Sequence, residues 1–420
     1  MNSLSDAMSV FQKSTTVMRY SFLLLGLLFV GVFGVFKFLS ASILPNLLTN
    51  LGLGLLAMVI ADLGVKLVVN VVPRVNLPHL EKRAVFITGC SSGFGLQLAK
   101  RLDALGVTVY AGLRNSQCAG ALELQATCSK NLHIVIIDVT KDEDVKNAVK
   151  YVNKTIGDKV FWSLVNNAGI SIFGLTEWVD VTEYRRLYET NVLGCVRVTQ
   201  AFLPLLRENQ GRIVVTGSVS GRFAYPFLIP YSMTKFALTS YVDGLRREMR
   251  QWGVGVYWVQ PHLYRTNLSE LEVVVRQSNQ VWGAATEEVK SSYGEDFFKN
   301  YLERGTGYIG ENASNNIDEP VSDLIDAAVG ATPQYCYTPG MKARFEMFLA
   351  RYLPIYLIEL MFLLFQYCYT PGMKARFEMF LARYLPIYLT DIYTEMNVNL
   401  KFPAAVLERK RLQRDSKKLH

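Results

Sequence analysis

From residue 82 to about residue 330, short apolar runs alternate with amphipathic segments. The runs RAVFITG, VTVYAGLR, LHIVIIDVT, FWSLVNNAG, GRIVVTGS and GVGVYWVQP are predicted to be buried strands, since continuous apolar runs of this length are typical of strands covered on both faces. The helical pattern GFGLQLAKRLDALG follows the first run, and its predicted inner side comprises Leu96, Leu98, Ala99, Leu102 and Leu105. The alternation predicts an α/β fold with a parallel sheet between two helix layers.

The N-terminal residues 1–78 have a different pattern. Residues 21–44 are apolar apart from Lys37, and residues 47–72 contain only Asp62 and Lys66 as charges. About 20 apolar residues are needed to cross a bilayer, and a cleaved signal peptide would have a shorter apolar region. We therefore predict a membrane anchor of one or two spans, with a two-pass hairpin preferred.

Flanking charges predict the orientation of this anchor. Lys13 and Arg19 precede the first apolar run, and Arg74, Lys82 and Arg83 follow the second. Positive residues stay on the cytoplasmic side, so a hairpin leaves the rest of the chain in the cytosol. The terminal KKLH resembles a dilysine retrieval signal of the endoplasmic reticulum. Glycans on the sequons NKT at 153, NLS at 267 or NAS at 312 would instead place the domain in the lumen.

The C-terminal part contains an exact repeat. QYCYTPGMKARFEMFLARYLPIYL occurs at 334–357 and again at 366–389. An identical pair suggests a recent exon duplication or a sequence-assembly artefact rather than a solenoid. We expect residues 331–400 to cap the substrate cleft or to lie on a membrane surface. The basic tail 401–420 holds seven Lys and Arg residues, which favours contact with anionic lipids.

Composition excludes several classes of function. The chain has 420 residues, a net charge of +8, six cysteines and four histidines. No CxxC pair occurs, so neither a disulfide framework nor a metal site is expected. A nucleic-acid partner is not expected either, because no basic stripe interleaved with aromatic residues is present.

A glycine-rich loop follows the first predicted strand. TGCSSGFG spans residues 88–95, and its glycines permit a tight turn and close approach of the backbone to a ligand. Amides that open the next helix can bind a pyrophosphate, so the loop predicts a dinucleotide site. The second strand ends with Arg114, where an acidic residue would favour NAD(H). Arginine can pair with a 2′-phosphate, so NADP(H) is favoured over NAD(H).

Residues 217–235, GSVSGRFAYPFLIPYSMTK, bring together a serine, a tyrosine and a lysine. Tyr231 and Lys235 are i and i+4 on a predicted helix and share one face. We expect the ammonium to lower the pKa of the phenol, which makes it an acid or base near neutral pH. Ser218 closes a strand, where its hydroxyl can hold a substrate oxygen. Each residue alone is equally consistent with a structural role, Ser218 as a turn cap.

Five motifs in order resemble the short-chain dehydrogenase/reductase superfamily. They are TGxxxGxG at 88–95, NNAG at 166–169, Asn191 in ETNVLG, Ser218, and YSMTK at 231–235. The resemblance covers roughly residues 80–330 and implies a Rossmann-type, doubly wound sheet in a domain at 79–330. GCSSGFG and ARYLPIYLTDIY are similar to the retinol dehydrogenase and 17β-hydroxysteroid dehydrogenase branch.

The resemblance also implies roles. Tyr231 would exchange a proton with the substrate oxygen that Ser218 holds, Lys235 would also bind the nicotinamide ribose, and Asn191 would order a water that relays protons to Lys235. Residues expected at the cofactor are Thr88, Gly89, Ser91, Ser92, Gly93, Phe94, Gly95, Arg114, Asp138, Asn166, Ala168, Gly169, Tyr231, Lys235 and Thr266. The family usually has Pro-Gly after the sixth strand, whereas this chain has His262 at the glycine position. That departure affects the nicotinamide pose rather than the reaction class.

The branch implies a lipophilic alcohol or ketone as substrate, such as a steroid or a retinoid. Trp282 and Tyr293 could line an apolar cleft or belong to the ordinary core. A 3-hydroxybutyrate dehydrogenase is the alternative enzyme, although it would need an Arg-rich import signal. A catalytically silent scaffold or lipid-binding protein is the alternative of another class. The sequence leaves the substrate, the direction and the oligomeric state open, including a homodimer.

Overall fold

The computed structural model describes residues 73–344 and residue 347, and towards the N-terminus residues 27–35, 37, 52–61 and 64. By its contacts the chain divides into two compact units, residues 1–80 with 325–334 and residues 81–324 with 335–420. In the first unit, the Leu77 N–H donates to the Val329 carbonyl at 2.8 Å, and the Ala331 N–H donates to the Val75 carbonyl at 2.7 Å. These bonds connect the segment around residue 76 to the C-terminal end of the helix Asp318–Val329 and to the residues just after it.

The second unit is built on one parallel sheet. Its seven strands have the order β3-β2-β1-β4-β5-β6-β7, and every neighbouring pair is parallel. This order confirms the predicted doubly wound α/β sheet. The strands are β1 Arg83–Thr88, β2 Thr108–Leu113, β3 Leu132–Ile136, β4 Val160–Asn166, β5 Arg212–Thr216, β6 Gly255–Val259 and β7 Cys336–Tyr337.

Ten α-helices lie between or after these strands among residues 73–344. They are α1 Gly93–Ala104, α2 Ala119–Thr127, α3 Asp142–Thr155, α4 Val181–Tyr188, α5 Gly194–Glu208, α6 Ile229–Met249, α7 Leu271–Ala284, α8 Glu287–Tyr293, α9 Glu295–Asn312 and α10 Asp318–Val329. Four of the five predicted inner residues of α1 are buried. Leu105 is 40 % exposed, because the helix ends at Ala104 and the left-handed Gly106 turns the chain towards β2.

The strands are apolar because both faces of the sheet are covered. Every residue of β2 and β5 is buried, as expected for the centre of a doubly wound sheet. On one face the ring of Phe202 from α5 packs against Phe86 of β1 and Phe161 of β4, with centroids 4.7 and 5.2 Å apart. This core fixes the carboxyl ends of β1 and β4, between which the strand order reverses. Sheets of this kind bind ligands at that point.

β7 comes from the segment that the sequence assigned to a cap. Trp258 and Val259 of β6 pair with Cys336 and Tyr337, and the Gln260 N–H donates to the Tyr337 carbonyl at 2.8 Å. The predicted domain boundary at residue 330 therefore excludes a strand of the sheet. The apolar and aromatic start of the first repeat unit could not be distinguished by pattern from a membrane-facing segment.

The predicted membrane segments fall mainly outside the described residues. Residues 27–35 and 52–61 are helical, and none of the described helices combines the length and hydrophobicity that crossing a bilayer requires. The second repeat unit at 366–389 and the basic tail at 401–420 also lie outside the described residues. Of the first repeat unit at 334–357, only residue 347 is described beyond residue 344.

Candidate active site

The glycine-rich turn lies at the carboxyl end of β1. Gly89 and Gly93 have φ values of +75° and +59°, a conformation that glycine adopts at little cost. A Cβ on Gly95 would lie 2.3 Å from the Gly89 carbonyl oxygen, so this position admits no side chain. Within the described residues, the Ser92 side chain makes no capping hydrogen bond to α1. The amides that open α1 are therefore available to an anion, and the turn fits a dinucleotide pyrophosphate.

Residues directly after β4 hold this turn in place through hydrogen bonds. The Thr88 Oγ1 accepts from the backbone N–H groups of Asn167 and Ala168, each at 3.0 Å. The Asn167 side-chain amide donates to the carbonyls of Thr88 at 3.1 Å and Gly89 at 3.2 Å. Sequence reasoning missed Asn167, although the doubled asparagine in NNAG was a usable signal. It named Asn166, whose side chain instead donates to Thr199 on α5 at 2.9 Å.

The loop after β6 returns to the same turn. The Thr266 side chain lies 3.4 Å from the position that a Cβ on Gly93 would take, and the Tyr264 ring meets the Phe94 ring edge-on at 5.9 Å. Ser269 closes the loop, since its hydroxyl accepts from the Thr266 N–H at 3.0 Å. The structure thus places the loop that carries Thr266 against the glycine-rich turn that carries Phe94. Ser91 lies against α2, where its carbonyl oxygen would be 2.1 Å from a Cβ on Gly120.

Arg114 and Asp138 follow the neighbouring strands β2 and β3. Arg114 is exposed, whereas Asp138 is half-buried. Burial alone would raise the pKa of the Asp138 carboxyl, but hydrogen bonds from Thr140 and the nearby Arg114 guanidinium hold it below its usual value. The Thr140 hydroxyl donates to this carboxylate at 2.7 Å. A cation and an anion therefore stand side by side, where a parallel sheet of this type holds the adenosine part of a dinucleotide.

Tyr231 and Lys235 lie in the first two turns of α6, which begins at Ile229 with Pro230 as a favourable first-turn residue. Lys235 is 5 % exposed, and its ammonium donates to the Thr216 carbonyl at 3.0 Å. The Lys235 Nζ lies 5.5 Å from the centre of the Tyr231 ring. It would be 4.0 Å from a Cβ on Gly169, so the lysine faces the predicted cofactor cleft.

Ser218 precedes a 3₁₀ turn at Val219–Gly221 rather than closing β5, which ends at Thr216. Its hydroxyl accepts from the Ser220 N–H at 3.1 Å and also hydrogen-bonds Tyr231. The serine therefore caps a turn and at the same time points at the tyrosine. The turn-cap interpretation is confirmed, and the bond to Tyr231 is compatible with the predicted role at a substrate oxygen.

The pKa of Tyr231 differs from the expectation. Burial raises it to about 12, and the hydrogen bond with Ser218 offsets only part of that effect. Burial lowers the pKa of Lys235 to about 8, with a smaller opposing effect from Cys195. The prediction that the ammonium lowers the phenol pKa was wrong for this arrangement, because removing the phenolate from water costs more than a lysine at this distance returns.

Asn191 lies in a π-helical turn, Glu189–Leu193, between α4 and α5. Its side-chain oxygen accepts from the Ile170 N–H at 2.8 Å, and its amide donates to the Ile170 carbonyl at 2.9 Å and to the Thr234 hydroxyl at 3.0 Å. Asn191 therefore joins the loop after β4 to the helix that carries Tyr231 and Lys235. Single π turns inside helices are frequent at functional sites.

His262 takes the position where the family has glycine. It is half-buried, and its ring meets the Tyr225 ring edge-on at 6.5 Å. Neither residue lies in the left-handed region, so the turn accepts a side chain there. Tyr225 belongs to the loop between Ser218 and Tyr231, which places His262 beside that loop.

An aromatic cluster lies in the apolar region to which Tyr231 also belongs. Trp178 lies at its centre, with ring centroids 4.9 Å from Trp282 and 4.8 Å from Tyr301. Trp178, Trp282 and Phe298 belong to a buried core group that also contains Ile172 and Leu187, and Tyr231 packs against this group. We call the set the Trp178 cluster; it comprises Trp178, Trp282, Tyr293, Phe297, Phe298 and Tyr301. Sequence reasoning named Trp282 and Tyr293 but missed Trp178, which no local motif marks.

No group of three or more His, Cys, Asp or Glu residues within the described part of the chain could hold a metal ion. The polar groups of the site are instead a serine, a tyrosine, a lysine and an asparagine, together with backbone amides. These groups can bind a dinucleotide and exchange a proton with an oxygen.

Comparison with known proteins agrees with this geometry. Residues 83–273 match the family model of short chain dehydrogenases. The chain is 37% identical over 288 residues to 17-beta-hydroxysteroid dehydrogenase type 6 of Bos taurus, a match that covers 68% of this chain and 89% of that protein. It is 36% identical over 290 residues to retinol dehydrogenase 7 of Rattus norvegicus, with the same coverage of 68% and 89%.

A solved structure has the same fold. A short-chain dehydrogenase from Streptomyces avermitilis superposes with a TM-score of 0.53 and 26% sequence identity. The superposition covers 66% of this chain and 95% of that protein. The matched part thus corresponds to a nearly complete relative.

Proposed function

Because the chain belongs to the short chain dehydrogenase family, we propose that it interconverts a lipophilic alcohol and its carbonyl compound with NAD(P)(H). The observation that carries this proposal is the placement of Tyr231. Its ring packs against the apolar core group that includes Trp178, its hydroxyl bonds Ser218, and the Lys235 Nζ lies 5.5 Å from its ring centre. A proton donor therefore lies beside an apolar region of the molecule.

In the reduction direction, the phenol of Tyr231 donates a proton to the carbonyl oxygen that the Ser218 hydroxyl holds. With a pKa of about 12, the phenol is protonated at neutral pH and ready to donate. In oxidation the phenol first passes its own proton to the relay that contains Lys235, and its oxygen then accepts the proton of the alcohol. A bound nicotinamide supplies or receives the hydride at the substrate carbon.

Lys235 returns or removes the proton. Its pKa of about 8 lets it exchange protons near physiological pH. Its Nζ would be 4.0 Å from a Cβ on Gly169, a position from which it could hold the nicotinamide ribose. We assign to Asn191 the ordering of a water that connects Lys235 to solvent. The hydrogen bonds of Asn191 to Ile170 and Thr234 fix its place beside the two catalytic turns.

NADP(H) is the favoured cofactor in this proposal. Arg114 is an exposed cation at the end of β2, where an acidic residue would contact the ribose hydroxyls of NAD(H). A guanidinium is suited to bind a 2′-phosphate through two hydrogen bonds. Asp138, the neighbouring carboxylate, is assigned to the adenine.

The substrate class follows from the relatives and the Trp178 cluster together. Two of the most similar proteins are named for a hydroxysteroid and for retinol. Aromatic side chains bury large apolar areas, which suits the body of a steroid, a retinoid or a similar lipid. A cluster of this kind offers little to the short polar chain of 3-hydroxybutyrate.

We also propose that the enzyme is held at the endoplasmic reticulum membrane with the catalytic unit in the cytosol. The apolar segments 21–44 and 47–72, the basic tail and the terminal KKLH support this placement. Protease protection of microsomes tests it. Digestion of the catalytic unit in intact vesicles is expected, and a glycan on Asn267 would contradict it.

A substrate panel tests the proposed reaction. The full-length protein in detergent is offered a hydroxysteroid, retinol and 3-hydroxybutyrate with NAD⁺ and with NADP⁺, and nicotinamide absorbance is followed. Turnover of a lipophilic alcohol, faster with NADP⁺, is expected. Turnover of 3-hydroxybutyrate alone would favour the alternative enzyme, and no turnover of any alcohol would favour a silent scaffold.

A further inference from the structure

Phe227 has a backbone conformation that phenylalanine rarely adopts. Three non-glycine residues among those described have positive φ: His79 at 56°, Gln210 at 48° and Phe227 at 63°. Histidine and polar residues tolerate this region to some degree, whereas for a bulky side chain it is an outlier. Such outliers persist where the surroundings enforce them and cluster at functional sites.

A hydrogen bond between two loops holds the strained residue. The Gly174 N–H donates to the Phe227 carbonyl at 3.0 Å. Gly174 itself is confined, because a Cβ there would lie 2.7 Å from Val179 and 2.9 Å from Val281. The loop after β4 is therefore hydrogen-bonded to the loop that precedes Tyr231, and packing around Gly174 restrains this contact.

The ring of Phe227 joins two apolar clusters on the Tyr231 side of the sheet. It is partly buried against Phe173, Val274 and Ile309. It also meets the ring of Tyr301 at 6.3 Å with an interplanar angle of 73°. Tyr301 and Tyr231 both pack against the core group that includes Trp178. The left-handed backbone thus places the ring of Phe227 against Tyr301, in the same apolar region of the molecule as Tyr231.

We propose that Phe227 is a specificity-determining residue whose ring contacts the apolar body of the substrate. Glycine would occupy this backbone conformation without strain. Phenylalanine is strained there, but its ring contacts Tyr301. The inference rests on the proposed function, because it needs a lipophilic alcohol bound at Tyr231. It adds a named contact that selects large substrates over small ones.

Two substitutions separate the ring from the backbone. Phe227→Ala removes the ring and keeps the strain, whereas Phe227→Gly removes both. The catalytic efficiency kcat/KM is measured for a hydroxysteroid and for cyclohexanol. In both variants the preference for the hydroxysteroid is expected to fall about tenfold or more, mainly through KM, as apolar pockets discriminate by size to that degree. Efficiency with cyclohexanol should stay near that of the wild type.

Gln210 provides the matched control, since it is also left-handed but lies in the turn before β5. Gln210→Gly should raise the melting temperature and leave the substrate preference unchanged. Phe227→Gly should likewise melt above Phe227→Ala, because only alanine retains the strain. Equal melting temperatures for Phe227→Ala and Phe227→Gly would contradict the claim that the backbone is strained at residue 227.

The outcomes distinguish this inference from the function on which it rests. A hydroxysteroid preference within about twofold of wild type in Phe227→Ala, a change too small for a lost apolar contact, overturns the inference and leaves the proposed function standing. A wild-type protein that oxidises neither alcohol overturns both. A fall in preference confined to the Phe227 variants supports the inference.

Discussion

The cofactor half and the substrate half of the site are built in different ways. The proposed cofactor half, at the carboxyl ends of β1 and β4, consists of backbone amides and of glycines whose replacement would cause a clash, as at Gly95. The proposed substrate half consists of large side chains from several elements, among them Trp282 of α7 and Tyr301 of α9. The shape of the first half depends on the absence of side chains at its glycines. The shape of the second half depends on the volume of its aromatic side chains.

This difference decides how each half responds to mutation. A backbone cradle tolerates no added atom, because the atoms that would move belong to the main chain. In the proposed substrate half, loss of one ring would leave the other rings to contact the ligand, as apolar pockets discriminate only modestly per lost group. Mutations in the cofactor half should therefore have larger and more uniform effects than mutations in the substrate half.

The largest effect is expected from Gly95→Ala. The added Cβ would stand 2.3 Å from the Gly89 carbonyl oxygen, so the turn must open. Nucleotide affinity should fall about a thousandfold, or about 4 kcal/mol. Titration of the protein with NADPH, followed by fluorescence, measures it. Gly283→Ala is the control, because nothing lies within 4 Å of a Cβ there, and equal affinities for the two variants would refute the cradle.

Arg114→Ala is expected to alter which nucleotide is used. Loss of charge-assisted hydrogen bonds to a 2′-phosphate should cost about 3 kcal/mol, or about a hundredfold in NADPH affinity. NADH affinity should hardly change, since NADH lacks that phosphate. Parallel titrations with both nucleotides test this, and an equal loss for both would mean that Arg114 does not contact the phosphate.

Lys235 should make stability depend on pH. Burial lowers its pKa from 10.5 to about 8, so between these values the unfolded chain binds more protons and stability rises with pH. From about pH 7.5 to about pH 9.5, wild type should gain about 2 kcal/mol relative to Lys235→Met. Tyr231, with a raised pKa, opposes this only above its unfolded pKa of 10.0. Denaturant unfolding in detergent at both pH values measures the gain, and parallel curves would contradict it.

The smallest effect is expected in the substrate half, from Trp178→Leu. Leucine retains apolar bulk but loses the edge contacts with Trp282 and Tyr301, worth about 1 kcal/mol each at most. KM for a hydroxysteroid should rise about tenfold or less, with NADPH affinity unchanged. Steady-state kinetics and nucleotide titration give both numbers. A loss of nucleotide affinity would mean that the two halves are not separate.

The same contrast explains what the sequence could predict. The strand pattern, the turn at 88–95 and the pair Tyr231 and Lys235 are local features with fixed spacing, and the structure has them as expected. Trp178 and Phe227 could not be predicted, because their role depends on contacts with α7 and α9 that are distant in sequence. The pKa of Tyr231 was predicted in the wrong direction, since spacing along a helix carries no information about burial.

Tyr231→Phe tests the central claim most directly. The substitution removes one hydroxyl and keeps the ring against its apolar core group. Turnover of a lipophilic alcohol should fall about a thousandfold, the scale of general acid–base catalysis, while NADPH affinity stays within about threefold of wild type, since binding uses the glycine turn. Turnover by the variant equal to that of the wild type would contradict the account.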